Sequence, residues 1–496
     1  MPFQLYWEST NKLLFPNATV GSLIQHHIQH TAKSAGLPLP PGPRSLPFIG
    51  NIGDIDVVHP WRTYSEWKDK YGPIVSCRLI GQTVVIINSE KIARQLLDQR
   101  SAIYSDRPAG PFLPYGDTLR LHRRLFHQAL RADAADSYRD LYLDKARQLL
   151  SNLLNSPEAF EKHLFLYTAS IIMSVTYGHD KVSWDAPPIK SVAELVELIN
   201  VGLVPERSAI LTAFPILTRL PAWFPGASFQ RIAQRTRKLA LESMNEPFEY
   251  VKRNMAAGNA PKSLVSDLLT EMDEGKEAFP EQAVKQIALT VFVGYSSTLS
   301  SFILAMVLHP EAQRLAQQEI DSVVGVDRLP DFYDRPSLKY VEAVFREAIR
   351  WHVVAPLGIP HATSSDDVFG GYFIPKGSLI LPNIWYVEGH DDPDIFKPER
   401  HFASDGTLLP DTIAAKPMWG FGRRGCPGRF IAEAATWSAV VHLLAAFRIT
   451  KAKDETGKEI EVKEEFTSGV VCRPVPFQCS FVLRSTAREK AIRLGD

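Results

Sequence analysis

Trp419-Gly420-Phe421-Gly422-Arg423-Arg424-Gly425-Cys426-Pro427-Gly428-Arg429 is the stretch that decides how this chain reads. A helical pattern follows it from Pro427 to Phe447, and Pro427 suits the first position of that helix. Cys426 then faces free backbone N–H groups and the positive end of the helix dipole, a setting that favours thiolate. Gly422, Gly425 and Gly428 allow tight turns and let a flat ligand approach without Cβ clashes. Arg424 offers a fixed charge for a carboxylate. The combination describes a thiolate ligand beside a planar, anionic cofactor. The same letters hold Gly420-x-Gly422-x-x-Gly425, a dinucleotide pattern. Its context argues against it: Lys416-Pro417-Met418 is no buried strand, and no acidic residue follows about 20 positions on. A Gly-rich turn with a structural Cys is the plainer alternative for the loop alone.

The rest of the composition bounds the answer. At roughly 150 residues per domain, length alone allows about three domains. Lys plus Arg number 55 and Asp plus Glu 55, so a nucleic-acid partner is not expected. Apolar residues make up 45%, enough for a large core. Only Cys77, Cys426, Cys472 and Cys479 are present. They form no Cys-x-x-Cys and are too sparse for a secreted disulfide scaffold, so a reducing compartment fits. Cys77, Cys472 and Cys479 read as small apolar residues.

Residues 1–36 read as a leader with no apolar run long enough to span a bilayer and no signal-peptide pattern. Within it, His26 and His30 sit at i, i+4 but read as a solvated turn. Pro38 to Gly50 is a Pro-rich hinge. Trp61 to Tyr71 reads as a helix. Ile74 to Leu79 and Thr83 to Asn88 read as a hairpin turning at Gly81-Gln82. Helical patterns dominate from Ser89 to Val353. The uncharged run Gln286 to Leu308, with Gly294 near its start, reads as one buried central helix. Pro356 to His361, Val368 to Ile374 and Leu379 to Asn383 look like strands, and the tail beyond Phe447 is β-like. The expected class is mainly α with a minor β part (α+β).

The loop resembles the haem-binding loop of the cytochrome P-450 family, Phe-x-x-Gly-x-Arg-x-Cys-x-Gly, with Trp419 in the place of Phe. Three further marks follow the family's order. Glu347 and Arg350 resemble Glu-x-x-Arg, and Pro398-Glu399-Arg400 is similar to Pro-Glu-Arg, whose Arg completes a buried Glu–Arg–Arg network. Tyr115 to Arg124 resembles the helix carrying Trp-x-x-x-Arg, with Leu119 in place of the Trp. The resemblance implies one large helix-rich domain over 37–496, with haem b (heme b, iron protoporphyrin IX) between two central helices. It implies Cys426 as axial thiolate, Arg424 and Arg123 on haem propionates with His122 beside them, and Trp419, Gly422, Gly428 and Gly294 at the cofactor.

The resemblance breaks at the oxygen-activating helix. The family has small-Gly-x-(Asp/Glu)-Thr-(Thr/Ser), whereas this chain reads Val293-Gly294-Tyr295-Ser296-Ser297-Thr298. No Asp or Glu occurs between Glu281 and Glu311. Either Ser296-Ser297-Thr298 replaces acid-Thr-Thr, or that triplet is missing. The second fits better, because the distance to His309-Pro310 looks about three residues short. Losing three residues turns a helix by about 300° and draws it back about 4.5 Å. Divergence, an inaccurate gene model or a variant transcript each account for this. Thr298 and Ser297 are the surviving candidate hydroxyls.

The implied activity is a haem-thiolate monooxygenase of the fungal secondary-metabolism kind. Its implied electron donor is an NADPH-dependent flavoprotein reductase. Apolar Val354 to Leu357 and Phe466 to Val470, with the aromatic Phe214 to Gly226 at the channel mouth, imply a lipophilic substrate such as a terpenoid, polyketide or indole. The family implies a monomer on the cytosolic face of the endoplasmic reticulum membrane. The absence of a spanning run leaves a cytosolic or peripheral placement open. A haem-thiolate isomerase or dehydratase, or a haem-binding relative with impaired oxygen activation, is the alternative.

Overall fold

The computed structural model describes residues 36–47, 49–108, 113–202, 220–224, 227–275, 279–292, 297–387, 392–410 and 416–493. The leader, Gly294 and most of Phe214 to Gly226 lie outside the described residues.

Helix α1 (Pro60–Tyr71) opens the body, with Pro60 at its first turn. Strands β1 (Ile74–Leu79) and β2 (Gln82–Ile87) pair antiparallel, Leu79 opposite Gln82. The turn is therefore Ile80-Gly81, one residue earlier than the letters suggest. Both residues have positive φ, +47° and +82°, as the tightest hairpins require. β6 (Leu379–Pro382) adds parallel to β2, and β3 (His361–Ala362) closes the sheet against β6. Only these two residues of Pro356 to His361 and its neighbour are strand. Val368 to Ile374 is not one strand but a hairpin, β4 (Asp367–Phe369) and β5 (Tyr372–Ile374), bent at Gly370-Gly371.

Alternation along the four-stranded sheet separates two apolar faces. Val75, Cys77, Leu79, Val84 and Ile86 meet Trp61, Tyr64 and Trp67 of α1. Ile74, Val85, Ile87 and Ile380 meet Leu96, Leu97, Tyr104 and Phe421. Phe421 belongs to the cysteine loop, so the sheet holds that loop by a buried ring, worth on the order of 2 kcal/mol. The Pro-rich segment is fastened rather than free. Pro41 accepts from the Ser76 N–H at 2.9 Å, and Pro38 from the Phe373 N–H at 2.8 Å.

The main core is helical. It contains α2 (Asp117–Leu130), α3 (Arg139–Asn155), α4 (Phe160–Tyr177) and α5 (Pro187–Gly202), followed by α6 (Ser228–Ala256) and α7 (Leu264–Asp273). The uncharged run forms two helices instead of one, α8 (Glu281–Phe292) and α9 (Thr298–Leu308), both deeply buried. Neither is long and apolar enough to cross a membrane, nor is any other helix among the described residues. α10 (Pro310–Val323) and α11 (Lys339–Trp351) follow, then α12 (Arg429–Ala446). The tail pairs β7 (Phe447–Lys451) with β8 (Cys479–Leu483) as expected, but ends in a further helix, α13 (Thr486–Arg493).

Candidate active site

The cysteine loop is two 3-10 turns folded back on themselves. Pro417–Trp419 forms the first, Gly420 reverses the chain at φ +76°, and Gly422–Arg424 forms the second. The Cys426 N–H closes the loop on the Trp419 carbonyl at 2.6 Å. Because a turn and not a strand precedes the glycines, the dinucleotide pattern has no structural basis here. α12 begins at Arg429 with Gly428 as its N-cap, so Pro427 lies before the helix and not at its first position.

Gly422 has a different role from the one its letters suggest. Its φ is +50°, and a Cβ there would stand 2.2 Å from the Leu97 carbonyl oxygen. Leu97 lies on a π-helical segment, Arg94–Gln99, and Asp98 Oδ1 of that segment accepts the Gly422 N–H at 2.5 Å. The glycine is demanded by close protein packing. Gly428, in contrast, has open space where a Cβ would be.

Burial pushes the Cys426 thiol up, while the Gly428 N–H and the charges of Arg123 and Arg429 pull the other way without reversing it. The loop alone therefore does not hold thiolate, and a coordinated metal ion would. Arg123, from α2, donates to the Gly425 carbonyl. Arg424 donates to the carbonyls of Ser105 at 2.7 Å and Leu113 at 2.8 Å.

Two residues that sequence reasoning did not single out join this group. Arg107 donates to the carbonyls of Ile359 and of Pro360, the latter at 2.6 Å. His361 Nδ1 bonds the Tyr104 carbonyl at 2.8 Å. Burial, and then Arg424, lower Arg107 to about 9. Burial brings Arg424 down to about 10, with Asp106 opposing and Arg123 adding to the fall. Burial and Arg107 lower His361 well below its usual range. Three guanidiniums thus share one dry region, and Asp106 is the carboxylate that acts on Arg107 and Arg424. No local pattern marks Arg107 or His361; strand β3 brings them to the loop from more than 250 residues apart.

Several buried atoms lack a hydrogen-bond partner among the described residues. They include His122 Nε2, Trp419 Nε1, Arg429 Nε and Ser297 Oγ. Burial lowers His122 to about 4, so it is a neutral imidazole there. Native proteins rarely leave such atoms unsatisfied. A planar cofactor with carboxylate groups fits both the cationic excess and the unpartnered donors.

Glu347, on α11, is fully buried. Arg350 grips it with two bonds, at 2.9 and 2.8 Å, and Arg400 adds one at 3.0 Å. The expected network is present, and His401 Nε2 extends it at 3.0 Å. Burial alone would raise the Glu347 carboxyl, but the bonds from His401 and Arg350 outweigh it and hold the group at about 2. A second network was not foreseen. Arg335 binds Glu342 at 3.0 Å and Glu433 at 2.5 Å, tying α11 to the second turn of α12.

The cytochrome P450 family model matches residues 40–481. The chain belongs to the cytochrome P450 family. It is 39% identical over 485 residues to the cytochrome P450 monooxygenase claR of Ampulloclitocybe clavipes, covering 92% of this chain and 89% of that one. It is 38% identical over 482 residues to the monooxygenase COX1 of Coprinopsis cinerea, covering 91% and 92%. It is 40% identical over 477 residues to the monooxygenase 105 of Postia placenta, covering 92% and 91%. This P450 is accordingly an α+β enzyme of the monooxygenase class, and a haem cofactor follows from the family.

Ser297 is fully buried, and Thr298, the next residue, begins α9. Thr298, Ser300 and Ser301 are buried as well.

Proposed function

We propose that this P450 inserts one atom of dioxygen into a lipophilic small molecule, with Cys426 as the axial thiolate of haem b. The observation that carries the reading is the buried cationic region around Cys426, with its unpartnered His122 and Trp419 nitrogens. Arg123, Arg424 and His122 hold the propionates, joined by Arg107 and His361. Trp419, Gly422 and Gly428 shape the loop. When bound, the thiolate-ligated iron supplies dioxygen activation, with thiolate electron density favouring O–O cleavage.

The chain's own part is positioning and proton handling. Ser297 Oγ has a free hydrogen-bonding capacity in a water-poor site, and Thr298 stands next to it. Together they can hold a proton near the cofactor. No carboxylate between Glu281 and Glu311 shares that work. Electrons come from NADPH through a flavoprotein reductase. Val354 to Leu357 and Phe466 to Val470 form the apolar substrate wall, which suits a terpenoid, polyketide or indole of fungal secondary metabolism. The enzyme works as a monomer on the cytosolic face of the endoplasmic reticulum, in peripheral contact with the membrane. Residues 37–496 form its one catalytic domain, after a leader.

Turnover of a terpenoid, polyketide and indole panel with reductase, NADPH and isotopically labelled dioxygen tests this. One labelled oxygen per product, with NADPH consumed, is expected. Product formed without label and without NADPH would replace this reading by an isomerase or dehydratase.

A further inference from the structure

We infer that Asn200 is a positioning residue that latches helix α5 to the Phe466–Pro474 turn and so fixes the substrate-side wall. The inference rests on the proposed placement of Val354 to Leu357 and Phe466 to Val470 along the substrate pocket.

The side-chain amide of Asn200 imitates a peptide. Its Nδ2 donates to the Val471 carbonyl at 3.0 Å, and its Oδ1 accepts the Val471 N–H at 2.8 Å. An amide is the one neutral group that can do both at this spacing. The turn is shaped to receive it. Gly469 has φ +127°, and a Cβ there would lie 2.7 Å from Asn200 Oδ1. Glycine is required twice at that position, by backbone and by contact.

The turn is itself closed and anchored. Phe466 bridges to Pro474, and the Thr467 N–H reaches the Arg473 carbonyl at 2.8 Å. On its far side the Cys472 N–H reaches the Val354 carbonyl at 2.8 Å. One turn therefore joins the last turn of α5 to the segment after α11. Arg473 also pairs with Glu197, one helical turn before Asn200, at 2.5 Å. Both side chains of that pair are more than a third exposed, so it guides the approach and holds little. The amide pair does the holding.

The test uses the full-length holoenzyme, read in two ways. Hydrogen exchange at the Val471 amide reports the latch itself. The departure rate of clotrimazole, whose imidazole nitrogen shifts the haem spectrum, reports the pocket wall. Asn200→Ala should speed Val471 exchange about tenfold, as loss of two neutral hydrogen bonds predicts. Clotrimazole should leave faster by a similar factor, while exchange in α3 and α12 stays at the wild-type rate. Gly469→Ala should produce the same pattern from the opposite side. Asn200→Asp keeps the acceptor and loses the donor, and should fall between. Unchanged Val471 exchange in Asn200→Ala would overturn the latch. Faster exchange with unchanged clotrimazole departure would overturn its role in positioning the wall. A wild type with no haem absorbance would overturn the haem reading beneath it, and the Val471 exchange would still report the tie.

Discussion

The loop around Cys426 and the junction between α8 and α9 serve one proposed reaction, but they are built differently. Several parts of the loop are held by distant residues. Phe421 is packed into the sheet, Gly422 is pinned on Leu97 and Asp98, and Gly425 is bonded by Arg123 of α2. At the junction, Ser297 Oγ has no partner among the described residues. The difference teaches that holding a cofactor and delivering protons are separable demands. The first is met by long-range packing that survives local change. The second would rest on a few side chains, and no Asp or Glu lies between Glu281 and Glu311.

The largest effect should come from the buried Glu347 network, which ties α11 to residues 397–401. Glu347→Gln leaves Arg350, Arg400 and His401 without their shared carboxylate. Breaking a buried network of this kind costs about 3–5 kcal/mol. A fall of that size in urea-unfolding stability, with loss of bound haem, is expected. A variant that unfolds at the wild-type midpoint would show that the loop does not depend on this network.

Acid should act on the same group. Its carboxyl is held at about 2 in the fold, against 4.5 as the ordinary value. A lowered pKa means that the stabilisation is fully present above pH 4.5 and is lost as pH falls from 4.5 toward 2. A decline on the order of 3 kcal/mol across that window is expected from chemical denaturation at stepped pH. The Glu347→Gln protein should lack that part of the slope.

Gly422→Ala sets a Cβ against the Leu97 carbonyl at a positive φ, and should lower stability by about 1–3 kcal/mol. Thermal melting of the holoenzyme reads this. Gly428→Ala, with open space at its Cβ in the chain alone, is the matching control: it should spare the fold and weaken haem retention.

The smallest stability effect belongs to the junction. Ser297→Ala removes a hydroxyl without a partner and strands nothing, so its stability should change by less than about 0.5 kcal/mol. Its product formed per NADPH consumed should nevertheless fall, and Thr298→Ala should behave alike. Unchanged coupling in both variants would remove these hydroxyls from proton delivery and deepen the contrast with the loop.

Much of this was legible in local pattern. The helix before the first hairpin, the hairpin and the α12 helix follow from periodicity and turn residues, and the Glu347 pairings from the family resemblance. What was not legible was set at a distance. Arg107 and His361 carry no local signature, since strand pairing alone brings them to the loop. The Arg335 network looks like ordinary surface charge until α11 meets α12. Gly422 reads as room for a ligand, because the π-helical carbonyl that fills the space lies more than 320 residues away. The uncharged run reads as one helix, because hydropathy does not register that α9 begins only at Thr298.

The most direct test of the central claim is the absorbance spectrum of the reduced protein with carbon monoxide, taken for the wild type and for Cys426→Ser. The account predicts the red-shifted thiolate band in the wild type and its loss in the variant. A wild type without that band, or a variant that keeps it, would contradict Cys426 as the iron ligand.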